Sequence, residues 1–329
     1  MTSKQQPIHS GFSAASTAAE VVRDIDLRGQ TMIVTGGYSG LGLEMVRALA
    51  RAGVSIVVPA RDATRARHSL STVPGVQTEE LDLMNPDSVD AFADRFSRQH
   101  STLNALINCA GIMANPLTRD ARGNESQLST NHLGHFQLAI RLWPMLAAAG
   151  HARIVAMSSR GHRFSSFDFE DPNFNARPYD RWKAYGQSKT ANVLFAVEAD
   201  RRGESRGIRA FAVHPGTILT ELSRHLTDED FAGYGLARDT PRGFVPQGQS
   251  AAEGGMFKTA EQGAATAVWC ATSPQLRGYG GVYCEDVDIA VVSEADDANE
   301  AGVKPWAVDP AAAQKLWKLS EQLTGVRLE

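Results

Sequence analysis

The chain has 329 residues, 43% of them hydrophobic, enough for one large α/β core or two small ones. Its net charge of -4 provides no global basic field, so nucleic acid is excluded as an expected partner. Three scattered cysteines, Cys109, Cys270 and Cys284, form neither a disulfide framework nor a zinc spacing and fit a reducing compartment.

Residues 1–24 are rich in Ser, Ala and Gln and read as a flexible arm with a short helix at 14–23. They lack the apolar core of a signal sequence, and no run in the chain reaches the length of a membrane span, so a cytoplasmic protein without membrane insertion is expected. Order begins with an apolar, β-rich run at 31–35, then glycine punctuation and a helical pattern at 41–52. Strands follow at 54–58, 76–83, 103–108, 153–157, 208–213 and 281–284. Between them lie helical patterns at 61–70, 86–99, 127–149 (interrupted at Pro144), 179–202 and 262–271. Such alternation predicts a single α/β domain over 25–329, a doubly wound parallel sheet of about seven strands with helices on both faces. Two long connections, 160–181 and 217–260, break the rhythm and are expected to cover a substrate.

The first strand runs into Thr35-Gly36-Gly37-Tyr38-Ser39-Gly40-Leu41-Gly42. Glycines at this bend permit a tight turn and close backbone approach, and the following helix points its N-terminus at a pyrophosphate. The second strand ends in Val58-Pro59-Ala60-Arg61-Asp62. A carboxylate at the strand end would suit the ribose 2′-hydroxyl of NAD, but Ala60 stands there, and the Arg61 guanidinium suits the 2′-phosphate of NADP. Asp62 is a rival signal for NAD, yet it is also well placed to cap the next helix.

Tyr185 and Lys189 share one face of a helix, four residues apart. A fixed ammonium favours the phenolate and makes the phenol a useful proton donor or acceptor near neutral pH. Alone, such a pair is usually just solvated surface.

In order along the chain stand Thr35-Gly36, Gly40 and Gly42, then Asn108-Cys109-Ala110-Gly111, Ser158-Ser159, Tyr185 with Lys189, and His214-Pro215-Gly216. The set resembles the short-chain dehydrogenase/reductase family over residues 27–284. Asp26-Leu27-Arg28-Gly29, the run from Ser129 through Asn131 to Phe136, and Tyr185 to Asn192 resemble its retinol dehydrogenase, WW-domain oxidoreductase and protochlorophyllide reductase branch. The resemblance implies a Rossmann-type fold, an NAD(P)-dependent alcohol dehydrogenase or carbonyl reductase, and roles for particular residues. Tyr185 would be the acid/base. Lys189 would lower its pKa and hold the nicotinamide ribose. Ser159, in preference to Ser158, would bind the reacting oxygen, and Asn131 would help hold a proton-relay water. On the coenzyme side the resemblance implies Gly36, Tyr38, Ser39, Gly40, Leu41 and Gly42 at the turn, and Arg61 at the 2′-phosphate. It also implies Asp82 and Leu83 at the adenine, Asn108, Ala110 and Gly111 near the ribose, and Pro215, Gly216, Thr217, Ile218 and Thr220 over the nicotinamide and pyrophosphate.

His162 follows the serine pair and could touch substrate, whereas His214 reads as packing, and the acidic stretch 285–300 reads as a solvated loop. The insertions carry Phe164, Phe167, Phe169, Phe174, Tyr179 and Trp182, then Leu219, Leu222, Leu226, Phe231, Tyr234, Leu236 and Phe244. Some of these rings anchor the loops; together they point to a bulky, mainly apolar or aromatic carbonyl or alcohol as the small-molecule substrate. Val193, Leu194, Phe195 and Val197 cannot all face one sheet, so a homodimer is expected. Two other readings remain open: a cofactor-binding regulator, which should lack part of the Asn/Ser/Tyr/Lys set, and a nucleotide-sugar epimerase or dehydratase, which should space its turn glycines differently.

Overall fold

The computed structural model describes residues 4–218, 222, 226–227, 229–230, 236–239, 243–246, 257–294 and 301–328. The expected site residue Thr220, and Leu219, Phe231 and Tyr234, lie outside them.

Strands β1 (Thr31–Val34), β2 (Ser55–Ala60), β3 (Val76–Glu80), β4 (Ala105–Asn108), β5 (Ala152–Met157) and β6 (Ile208–Val213) are short, and all but the polar edge strand β3 are dominated by buried apolar residues. After a two-stranded antiparallel hairpin of β7 (Leu236–Asp239) and β8 (Gly243–Pro246) come β9 (Val282–Glu285) and β10 (Asp288–Ile289). The main sheet has the order β10-β9-β6-β5-β4-β1-β2-β3. Seven of its strands are parallel, and β10 is an antiparallel edge. Strand order reverses between β1 and β4, which opens a crevice at their carboxyl ends.

One face of the sheet is covered by Pro86–Gln99, Gly134–Ala148 and Arg181–Gly203, with Phe92, Phe96, Phe136 and Trp143 in the core. The other is covered by Gly40–Arg51 and Ala260–Thr272, around Met45, Leu49 and Trp269. Among the described residues no helix is long and apolar enough to cross a membrane.

The structure bears on three of these expectations. The helix expected at 127–149 is not broken at Pro144, which sits inside Gly134–Ala148. A missing N–H removes one hydrogen bond, and burial of Leu142, Trp143 and Leu146 around it offsets that loss. The interruption lies earlier, in a π turn at Ser129–Leu133 that carries Asn131.

Second, the stretch expected as a flexible arm is bonded to the β9–β10 edge. Gln5 Nε2 donates to Tyr283 O and Ala290 O, and Gln5 Oε1 accepts from Tyr283 N. Asp288 accepts from the backbones of Ile8 and Ser10. An uncovered sheet edge exposes unpaired backbone groups, and the arm pairs with them. The carboxylates of the acidic stretch that are described also turn to structural work, for Glu285 Oε1 accepts from Gly302 N.

Third, of the apolar residues behind the expectation of a homodimer, Val193, Leu194 and Phe195 are covered within one chain, and Val197 is partly buried. Helix Pro310–Thr324 packs on Arg181–Gly203, and Val193, Leu194 and Phe195 are buried. Trp317 stacks on Phe195 with centroids 5.9 Å apart and meets Phe136 edge-on at 5.0 Å. This helix was absent from the sequence reading although its signals are present: Asp309 caps it, Pro310 opens it, and Ala313, Leu316 and Trp317 share a buried face.

Candidate active site

The glycine turn closes because its backbone segments touch. A Cβ on Gly42 would strike Gly36 O, and one on Gly36 would lie 3.0 Å from Ala110 Cα. Thr35 is buried beneath the turn, and its Oγ1 accepts from Cys109 N (2.9 Å) and Ala110 N (3.0 Å). The turn and the loop after β4 are thereby joined. A cavity of about 310 Å³ opens above them, lined by Gly36, Tyr38, Ser39, Gly40, Leu41, Gly42, Arg61, Asp82, Leu83, Ala110 and Gly111, among others. Twelve of the expected coenzyme contacts are thus divided: eleven line one cavity, and Asn108 lies behind it, buried in β4.

Two features of the wall suit a dinucleotide. Thr130 Oγ1 is buried without a hydrogen-bond partner, and Arg61 and Arg65 both reach the mouth. Asp62 does not point a carboxylate at this position, because its Oδ1 accepts from Arg65 N at 2.9 Å as the cap of Ala63–Leu70. Arg65 was missed by sequence reasoning. Its signal was its place one helical turn beyond Arg61.

The Tyr185–Lys189 pair lies on Arg181–Gly203, whose start is fixed by Asp180 accepting from Trp182 N and Lys183 N. Both side chains are buried, and Lys189 Nζ is 5.6 Å from the Tyr185 ring centroid. Lys189 Nζ donates to Met157 O at the end of β5 (2.9 Å), as does Asn192 Nδ2 (2.9 Å). Burial lowers the Lys189 ammonium to about 8, so it stays charged at neutral pH.

Asn131 faces the same spot. A Cβ on Gly111 would lie 3.1 Å from Asn131 Oδ1 and 3.8 Å from Lys189 Nζ. Asn131 Nδ2 donates to Ser188 Oγ (2.9 Å) and Ile112 O (3.0 Å). His135, one turn on and within the run from Ser129 to Phe136, gains a definite place here. Its Nδ1 donates to Asn131 O (3.1 Å), which leaves Nε2 to accept from the Thr35 hydroxyl (2.9 Å). Burial lowers His135 to about 4 and keeps it neutral. A continuous chain of contacts therefore runs from the glycine turn through Thr35, His135 and Asn131 to the Tyr185 helix.

The two serines part company. Ser158 is buried and donates to Lys189 O at 2.9 Å. Ser159 Oγ accepts from Gly161 N at 3.0 Å. A Cβ on Gly161 would lie 2.6 Å from Tyr185 Cε1 and 3.4 Å from Ser159 Oγ, so Ser159 stands beside the Tyr185 ring and only glycine fits between. His162, considered as a substrate contact, is instead fully buried. Its Nδ1 donates to Ser159 O (2.7 Å) and its Nε2 accepts from Lys304 N (3.1 Å). His214 Nδ1 accepts from Arg160 N (3.2 Å) and Gly216 N (3.4 Å), a packing role.

Pro215, Gly216, Thr217 and Ile218 follow β6 and lie outside the 310 Å³ cavity. Thr217 O accepts from Lys258 N at 2.9 Å, which ties this turn to the chain re-entering before Ala260–Thr272. Of the aromatic insertion residues, Phe167 and Phe169 pack into a small core with Leu316, and Phe174 stacks under Arg177 at 3.9 Å. Trp182 stands beside Tyr185, with rings 6.4 Å apart, and Phe164 meets Trp182 edge-on at 5.9 Å. Trp182 packs with Met113, Ala114, Leu226 and Phe257.

Comparison with known proteins agrees with this architecture. A sequence profile described as short chain dehydrogenase matches residues 30–230. A Streptomyces lividans protein described as "Probable oxidoreductase" is 46% identical over 89% of this chain and 97% of its own. Retinol dehydrogenase 12 of Homo sapiens is 33% identical over 93% of this chain and 90% of its own. The crystal structure of an uncharacterized protein from Mycobacterium Paratuberculosis aligns with a TM-score of 0.70 at 31% identity, covering 97% of this chain and 99% of that one. A glycine turn, a parallel sheet and a Tyr–Lys helix in one crevice, joined to these matches, show that the chain belongs to the short-chain dehydrogenase/reductase family and is an oxidoreductase of that NAD(P)-dependent type.

Proposed function

We propose that this protein is an NADP(H)-dependent oxidoreductase that interconverts a bulky, mainly apolar or aromatic carbonyl compound and its alcohol, with Tyr185 as the acid/base. The observation that carries the reading is the placement of Ser159 beside Tyr185, with Lys189 on the same helix, next to the apolar group of Trp182, Met113, Leu226 and Phe257. When bound, the coenzyme supplies the hydride chemistry. The chain supplies orientation, a proton and a clamp for oxygen. In reduction, Tyr185 gives its proton to the carbonyl oxygen as negative charge develops there; in oxidation it accepts the alcohol proton. Ser159 holds that oxygen by a hydrogen bond, and the Lys189 ammonium favours the phenolate. Asn131, tied to Ser188 and Ile112, keeps the Lys189 side of the site in register.

Preference for NADP(H) is supported by Arg61 and Arg65 at the cavity mouth and by the engagement of Asp62 as a helix cap. Arg61→Ala is expected to weaken NADPH by roughly ten- to a hundredfold, the loss of a charge-assisted contact, and NADH far less. Dissociation constants for both coenzymes, measured on wild type and variant, test this. Tighter binding of NADH than of NADPH by the wild type contradicts it.

An apolar substrate is supported by what surrounds Tyr185. Arg163, which could have clamped a carboxylate, donates instead to Ser293 Oγ, Ala301 O and Gly302 O.

A further inference from the structure

The segment after β6 meets the Tyr185 helix at the Asp230 carboxylate. Asp230 receives Arg181 Nη2 on both oxygens, at 2.8 Å each, and Trp182 Nε1 on Oδ1 at 3.1 Å. Its Oδ2 also accepts from Thr227 N (2.7 Å) and Thr227 Oγ1 (2.8 Å). The Asp230 side chain is only 9% exposed in this ion pair. The charge-assisted contact, with the Trp182 and Thr227 bonds on the same carboxylate, ties Thr227, Asp230 and the indole to the helix start.

The locked indole is well placed to meet a substrate. Trp182 stands edge-on to Tyr185, with rings 6.4 Å apart and planes at 84°. Phe164 meets it edge-on at 5.9 Å and is 44% exposed, one of the few large apolar side chains left open among the described residues. Leu226, four residues before Asp230, closes the other side against Ala114. Arg181, next to Trp182 in the chain, is engaged by Asp230.

We propose that Trp182 is the specificity-determining wall of the carbonyl pocket, taking a flat apolar or aryl group of the substrate, and that Asp230 is the positioning residue that fixes the indole and the 226–230 segment around it. The inference rests on the carbonyl-reducing reading above and adds the part of the substrate that is recognised. A flat group packed against a held indole gains from area burial and ring geometry together. An indole free to turn loses the second contribution.

The test uses the full chain carrying Trp182→Ala, Trp182→Phe or Asp230→Asn, with NADPH, 2-acetonaphthone as the bulky aryl ketone and 2-butanone as the small one. Trp182→Ala is expected to lower the ratio of kcat/KM for the aryl over the small ketone by about tenfold or more, mainly through KM. Trp182→Phe keeps a ring but loses the indole N–H, and together with Asp230→Asn it should lower the ratio by a smaller factor. Asp230→Asn should also speed amide hydrogen exchange at 226–230 in the coenzyme complex. A ratio that stays within twofold of wild type in both Trp182→Ala and Asp230→Asn overturns the proposal, as does an equal loss of kcat on both ketones. If the wild type reduces neither ketone, it is the carbonyl reading that fails. The positioning of 226–230 is then judged by exchange alone, and unchanged exchange in Asp230→Asn overturns it.

Discussion

Tyr185→Phe is expected to lower turnover by about a hundred- to ten-thousandfold, the range for loss of a positioned general acid/base. The coenzyme dissociation constant should change little, because the glycine turn, Arg61 and the loop after β4 form a cavity that the Tyr185 ring does not line. In the proposed mechanism the phenol gives its proton to the substrate oxygen beside Ser159, and phenylalanine keeps the ring that packs against Gly161. The variant therefore removes chemistry without opening a hole. Lys189 adds a pH signature. Its ammonium, lowered by burial to about 8, loses its proton as pH rises through that value, and its support for a phenolate fades with it. Serine variants complete the series. Ser159→Ala should reduce kcat more than Ser158→Ala, whose main consequence is the loss of one buried bond to Lys189 O, a carbonyl that the helix ladder also satisfies, and a small loss of stability. Steady-state rates with saturating coenzyme decide the matter. A Tyr185→Phe enzyme that kept most of the wild-type rate would remove the mechanism.

Trp317→Ala is expected to destabilise the folded protein by about 3–5 kcal/mol, the cost of emptying a large buried aromatic site. Trp317 is almost fully buried among Phe136, Trp143 and Phe195. Arg202 lies over its ring at 4.6 Å, and its Nε1 donates to Glu321 Oε1 at 2.8 Å. The residue belongs to a helix with a capped start and a left-handed glycine at its end, so the whole element is built to dock. Its loss bares the apolar side of the Tyr185 helix. Equilibrium unfolding in urea measures the effect. A loss below about 1 kcal/mol would show that the helix rests on the domain without supporting it.

The elements that build the crevice were legible in the chain because their signals are local. Short apolar runs followed closely by glycine became β1 and β4, and the run ending at Ala60-Arg61-Asp62 became β2. Asp62 acts as the cap its position implied. Gly36, Gly40 and Gly42, Arg61 and Asp82 come together at one cavity because each sits at the carboxyl end of a parallel strand or just after it. What was not legible depends on partners far away in sequence. Gln5 has meaning only beside the backbone of Tyr283 and Ala290 at the sheet edge. His162 looked like a substrate contact from its place after the serines, but Lys304 and Trp306 occupy its surroundings. Phe195 is stacked on Trp317 of a helix that the sequence reading left out. Asp230 stands in a long insertion with no periodic pattern, and nothing nearby in the chain marks Arg181 and Trp182 as its partners.

The central claim is that this chain passes hydride between NADP(H) and an apolar carbonyl or alcohol. The most direct measurement follows coenzyme absorbance as the purified wild-type protein meets NADPH and two series of substrates at equal concentration: apolar and aryl ketones of rising size, and sugars with short oxo-acids. The account predicts consumption of NADPH in proportion to ketone reduced, fastest in the apolar series. Clear preference for the charged or sugar series, or retention of bound coenzyme with no net consumption on any substrate, would contradict it.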